Sequence, residues 1–157
     1  MNPSTIPAPL HGRRILVTQA DTFMGPALCR ALQAAGAEVV ASSDDVVDPA
    51  APARIVAAAG SIDVLVANLA VPAPATPAVA ADDDEWRATF AALVDPLPRL
   101  CRAVLPAMLA RRQGKILLMG SAAALRGQKR SSTYSAARGA QLAYVQALGV
   151  EVASQGV

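Results

Sequence analysis

The strongest restriction on this chain is a repeated alternation of short aliphatic runs with segments of helical period. Arg14 to Thr18 (RILVT), Ala37 to Ala41 (AEVVA), Ile62 to Ala67 (IDVLVA) and Lys115 to Met119 (KILLM) are apolar runs too short for helices. Met24 to Ala35, Ala50 to Ala59, a long segment opened by Asp82 to Glu85, and Thr133 to about Ala153 read as helices, the first closed by Gly36. Strand and helix in succession predict parallel strands joined by crossover helices, hence a doubly wound α/β sheet. KILLM is expected as a buried strand of that sheet.

With 54% apolar and 17% charged residues, the 157-residue chain is read as one globular domain, 1–157, with a substantial core. A net charge of +2 and scattered basic residues argue against a nucleic-acid stripe or a polybasic membrane patch. No segment has the roughly 18 apolar residues of a membrane span, and the opening MNPSTIPAPL has no basic leader. A soluble, cytoplasmic protein is expected. Cys29 and Cys101, far apart and within helices, are expected as free packed thiols.

Residues 42 to 49 (SSDDVVDP) alone separate the second strand from the next helix, where a full dinucleotide fold places another strand and helix. The adenosine side is therefore expected to be reduced. Pro72, Pro74 and Pro77 make Pro72 to Ala80 a loop at the carboxyl end of a strand, where ligand sites lie. Asp82, Asp83, Asp84 and Glu85 suit the positive end of the following helix. There Trp86, Phe90, Leu93, Leu97, Leu100, Val104 and Met108 recur at helical spacing as core or subunit interface, and Pro96, Pro98 and Pro106 predict a kink near Asp95. Ser131 to Thr133 supply the cap of the last helix. The chain stops at Gln155-Gly156-Val157, where such a fold is expected to enter another strand. The domain is accordingly expected to be incomplete at its C-terminus, leaving KILLM an unpaired edge.

Thr18-x4-Phe23-x-Gly25 stands where doubly wound folds place a glycine-rich phosphate loop. Glycines there allow a tight turn and backbone contact with pyrophosphate at a helix N-terminus. Gln19 and Phe23 replace the small residues, and an aromatic side chain, which buries about 150–250 Å², is more than a phosphate-contacting loop admits. The competing reading makes Phe23 a core residue beside a strand end. Ser42 stands near the end of the second strand, where an acidic residue would hold an adenosine ribose.

Ser121-x12-Tyr134-x3-Arg138 carries the chemistry. Tyr134 and Arg138 fall about one helical turn apart on one face, and Ser121 follows a strand terminus, where α/β folds deliver functional side chains. A permanently charged guanidinium beside a phenol favours the phenolate, so Tyr134 reads as a general base and Ser121 as a hydrogen-bond donor to substrate oxygen. The competing reading is a capping serine, a surface phenol and a solvated cation.

These residues, with Ala67-Asn68 after a strand and Trp86 through Met108, resemble the short-chain dehydrogenase/reductase superfamily along nearly the whole chain, which implies a Rossmann-like sheet. The chain departs from the reductases in having Thr18-Gln-Ala-Asp-Thr-Phe23-Met-Gly25 in place of Thr-Gly-x3-Gly-x-Gly, Arg138 in place of lysine, and Leu93 at the position of their helix asparagine. Those departures resemble the halohydrin dehalogenases, with motifs Thr-x4-Phe/Tyr-x-Gly and Ser-x12-Tyr-x3-Arg; DVLVAN, RAVLP and GSAAA are most similar to the B-type enzymes.

The resemblance implies interconversion of vicinal haloalcohols with epoxide, halide and proton, without a nicotinamide or any other cofactor, and without a metal. Ser121, Tyr134 and Arg138 are implied as catalytic, and Thr18, Phe23, Gly25, Asn68 and Leu93 as the halide or substrate pocket. Implied partners are a small haloalcohol or epoxide, a halide or other small anion, and, when the chain is complete, further copies of it in a homotetramer built on the long helices; no nucleic acid or membrane is implied. The alternatives are a diverged NAD(P)-dependent short-chain oxidoreductase and an inactive fragment.

Overall fold

A computed structural model describes residues 8–157. Most of the opening stretch read as free of a leader lies outside the described residues. The elements are β1 (Arg14–Val17), α1 (Gly25–Ala34), β2 (Glu38–Ala41), α2 (Ala51–Ala59), β3 (Val64–Ala67), α3 (Asp83–Leu93), α4 (Pro96–Ala110), β4 (Lys115–Leu118) and α5 (Ser132–Val152). Single 3-10 turns occupy Ala122–Ala124 and Ala153–Gln155. The strands form one sheet, ordered β2-β1-β3-β4, and every pair is parallel. From β1 the chain winds first outward to β2 and then back across to β3, so strand order reverses between β1 and β3. A crevice opens at the carboxyl ends of strands at such a point.

Alternation within β1 and β3 divides the core into two layers. Ile15, Val17, Val64 and Val66 pack with Leu28, Cys29 and Leu32 of α1 on one face. Leu16 and Leu65 pack on the other with Ile55 of α2, Leu97, Leu100, Val104 and Met108 of α4, and Ala137 of α5. Each buried aliphatic side chain contributes about 1.5–3 kcal/mol relative to exposure. Cys101 is buried and Cys29 partly so, both as free thiols. Among the described residues no helix is long and apolar enough to cross a membrane.

Three departures from the sequence expectation have physical causes. KILLM is not a buried strand but has the unpaired edge also expected of it: β4 is an outer strand of the sheet with Leu117 half exposed, because among the described residues only β3 pairs with it. The kinked helix is two helices. Val94 and Asp95 N–H both donate to Phe90 O, and Pro96, which has no N–H to satisfy, begins α4. Ser131 occupies the N-cap of α5 without a side-chain cap bond; its hydroxyl is directed instead to the Pro74 and Lys129 carbonyls, at 3.5 and 3.4 Å. The Asp82 cap of α3 is present, with Oδ1 accepting from Glu85 N–H at 2.8 Å. β2 is the opposite outer strand, and residues 42–50 run directly into α2, which leaves out the βα unit that a full dinucleotide fold has there.

Candidate active site

The β1–α1 turn keeps a glycine-loop backbone with residues that are not glycine. Gln19 and Phe23 have φ of 45° and 53°, the left-handed region in which a Cβ costs about 1–2 kcal/mol per residue. Gly25 could not be anything larger, since a Cβ there would lie 2.7 Å from the Ala20 carbonyl oxygen and nearer still to that of Gln19. Side-chain hydrogen bonds hold the turn in place. Thr18 Oγ1 donates to Asn68 O at 3.2 Å, and buried Asn68 donates through Nδ2 to Gln19 O at 2.9 Å and Thr22 O at 3.1 Å. Gln19 returns its Oε1 to the Ala70 N–H at 2.6 Å, so its side chain runs from the loop to the end of β3. Phe23, 75% exposed, is not a core residue.

Across the crevice, the start of α5 presents Tyr134 and Arg138. Their i,i+4 spacing puts the Arg138 guanidinium carbon 5.0 Å from the centre of the Tyr134 ring. Arg138 is only 4% exposed. Its Nη1 donates to Met119 O at 3.1 Å, at the end of β4, and to Gln141 Oε1 at 2.9 Å. Its Nε has no hydrogen-bond partner, and among the described residues no carboxylate forms an ion pair with it. A buried cation balanced only by dipoles and a π face makes this end of the crevice electropositive. Ser121 Oγ accepts from Ala123 N–H at 3.2 Å and so caps the 3-10 turn after β4; its own proton has no acceptor among the described residues.

A cavity of about 430 Å³ lies between the two halves, lined by Thr22, Phe23, Ala70 to Ala73, Tyr134 and Arg138. Part of its wall is the first part of the proline loop, which is fastened to the segment before α5 by Arg130 Nε donating to Ala75 O at 2.9 Å. Of the residues expected to form the pocket, only Phe23 lines it. Thr18, Gly25, Asn68 and Leu93 are buried and are not part of its wall. Their small size or hydrogen bonds are spent on the turn and the helix packing. Ser121 is likewise absent from the wall and serves as a cap in this conformation. Ser42 is engaged by the Asp44 carboxylate at 2.7 Å, so an acidic group does stand near the end of β2, two residues later than the expected position.

Sequence reading missed Gln141 and the Gln19 side chain. Gln141 is fully buried between Arg138 and the Leu93 carbonyl, to which its Nε2 donates; its position one turn after Arg138 was the available signal. The chain's other tyrosine, Tyr144, is unsuited to base chemistry. Burial and its neighbour Cys101 push its phenol up to about 12, and burial pushes the Cys101 thiol up to about 11. Among the described residues no cluster of three His, Cys, Asp or Glu could hold a metal ion.

A parallel sheet that reverses at β1/β3, with a tyrosine and a basic residue one turn apart on the helix after β4, defines a Rossmann-type nucleotide fold. The profile of the short chain dehydrogenase family matches residues 12–157, and the chain belongs to that family. It is 32% identical to the 2-keto-3-deoxy-L-fuconate dehydrogenase of Xanthomonas campestris pv. campestris over 99% of this chain, and spans 58% of that protein's length. It is 29% identical to the 3-oxoacyl-acyl-carrier-protein reductase FabG of Escherichia coli strain K12, over 94% of this chain and 70% of the reductase. Among solved structures, a protein titled "Dehalogenation enzyme" superposes with a TM-score of 0.85 at 30% identity, covering 92% of this chain and 68% of its own. A gluconate 5-dehydrogenase from Burkholderia cenocepacia J2315, in complex with NADP and tartrate, superposes with a TM-score of 0.85 at 27% identity, covering 94% and 68%.

Proposed function

We propose that this chain carries the active site of a cofactor-independent halohydrin dehalogenase. The observation that carries the reading is that Phe23, on a backbone conformation that suits glycine, lines the same cavity as Tyr134 and buried Arg138. The residues present do not suit a pyrophosphate: Phe23 stands where the loop would meet it, and the Gln19 amide already occupies the Ala70 N–H. No step is therefore routed through a nicotinamide.

The proposed reaction needs a base, a donor for the substrate oxygen and a place for an anion. Tyr134 takes the hydroxyl proton of a vicinal haloalcohol, and Ser121, which has a proton to give, orients that oxygen once its hydroxyl turns to substrate. The alkoxide oxygen attacks the neighbouring carbon, the C–O bond closes the epoxide, and the carbon–halogen electron pair leaves with the halide. Proximity within one molecule supplies much of the rate. Arg138 offers fixed positive charge to the negative charge that moves from phenolate to substrate. In reverse, a small anion opens an epoxide. The substrate, the halide and a homotetrameric assembly all belong to this proposal.

The second reading, an NAD(P)-dependent oxidoreductase, is favoured by the names of the two curated relatives and by the carboxylate of Asp44 near the end of β2. Calorimetric titration with NADH and NADPH separates the two. The dehalogenase reading expects no saturable heat up to millimolar dinucleotide, and saturable micromolar binding overturns it.

A further inference from the structure

We infer that Gln141 is a positioning residue, which fixes the orientation of the Arg138 guanidinium while leaving its charge intact. The inference rests on the reading of Tyr134 and Arg138 as the reacting pair. Gln141 is fully buried, and a buried primary amide must satisfy both its oxygen and its NH2 group. On one side lies Leu93 O, the last carbonyl of α3, and on the other the Nη1 of Arg138. A carbonyl accepts only and a guanidinium donates only, so a single orientation of the amide serves both. Nε2 meets Leu93 and Oε1 meets Arg138.

The break between α3 and α4 supplies the anchor. Pro96 has no N–H, and Leu97 N–H donates to Val94 O at 3.2 Å, so the Leu93 carbonyl is left for a side chain to satisfy. The amide thereby fastens the guanidinium to the end of α3, as the Met119 carbonyl fastens it to the end of β4. Two neutral acceptors hold one nitrogen of the group, while Nε remains unpartnered and the cation stays over the Tyr134 ring. No other side chain of this length has both a donor and an acceptor without a charge. Glutamate would neutralise the cation and set a carboxylate against Leu93 O, and methionine would leave both partners unpaired.

Nitrogen-15 NMR of the arginine side chains, on the free protein, reads the orientation without any reaction. The Arg138 signal is assigned by its loss in Arg138→Lys, and thermal unfolding verifies that each variant folds. In the wild type, rotation about the Arg138 Nε–Cζ bond is expected to be hindered; in Gln141→Met it is expected to quicken by roughly tenfold, in line with the loss of one charge-assisted hydrogen bond to the guanidinium. An unchanged rotation rate overturns the inference. Gln141→Glu, which keeps the volume and an acceptor oxygen, covers the case in which the methionine variant does not fold. In halide release it is expected to lower kcat about tenfold or more, with KM within about twofold, because charge offered to the reacting atoms is lost while the cavity wall is kept. A wild-type kcat in that variant overturns the inference. If the NMR response is as expected and the wild type releases no halide, Gln141 retains its positioning role and the dehalogenase reading fails.

Discussion

The guanidinium of Arg138 lies 5.0 Å from the centre of the Tyr134 ring, and both line the same cavity as Phe23. Helical spacing brings the first two together. The turn after β1 brings the third. The same turn is where a nucleotide fold would receive phosphate, and Gln19 and Phe23 stand there in place of small residues.

Arg138→Lys should be harmful although charge is conserved. A lysine ammonium on a flexible stem cannot hold the planar two-carbonyl arrangement that Nη1 makes with Met119 O and Gln141 Oε1. Loss of one or two buried, charge-assisted hydrogen bonds is expected to cost about 1.5–3 kcal/mol each. Urea unfolding of the variant measures it, and a midpoint equal to that of the wild type would show that the cation is not anchored as described.

Phe23→Gly should stabilise the fold while altering the site. The side chain is mostly exposed, so little burial is lost, and relief of a left-handed Phe returns about 1–2 kcal/mol against about 0.5–1 kcal/mol of extra chain entropy. A gain of roughly 0.5–1 kcal/mol is expected in chemical denaturation. Destabilisation by a similar amount would mean that Phe23 packs more than its exposure implies.

Asn68→Ala should release the turn. Both Nδ2 bonds, to Gln19 O and Thr22 O, would be lost in a buried setting, at about 2–3 kcal/mol in total. Faster hydrogen exchange at the N–H groups of residues 19 to 25, with the far strands unaffected, is the expected signature. Uniform exchange across the sheet would place Asn68 in the general core instead.

Stability should fall at alkaline pH. Tyr144 and Cys101 have folded-state pKa values raised to about 12 and about 11 from 10.0 and 9.0. The folded state therefore holds protons that the unfolded state releases, and stability present below pH 9 is lost as pH rises toward 12. Cys101→Ala combined with Tyr144→Phe should flatten thermal midpoints measured from pH 8 to 11. Equal slopes in variant and wild type would assign the alkaline loss to other groups.

Fold and site were unequally legible in the sequence. Aliphatic runs and helical periods expose the alternation because buried strands and crossover helices leave few other residues possible, and the prolines expose a break near Asp95, read as a kink in one helix where the chain forms two. KILLM was read two ways, as a buried strand and as an unpaired edge, because an aliphatic run has the same composition at a sheet's centre and its edge, and only the neighbour on its far side decides. Tyr134 and Arg138 could be paired from spacing alone. Gln141 could not be given its role, because it depends on a carbonyl freed 48 residues earlier, at Leu93. Thr18 and Gly25 belong to the motif, and Asn68 to the resemblance, from which the pocket was expected, yet their contacts support the β1–α1 turn.

The most direct test is halide release from a simple vicinal haloalcohol, such as 1,3-dichloro-2-propanol, in buffer free of nicotinamide, with Tyr134→Phe measured alongside. Chloride appearing in step with epoxide, and lost by a factor of about a hundred or more in the Phe variant, is the result the account predicts. Turnover that requires added NAD(P)H, or chloride release that is undiminished when the phenol is removed, would contradict it.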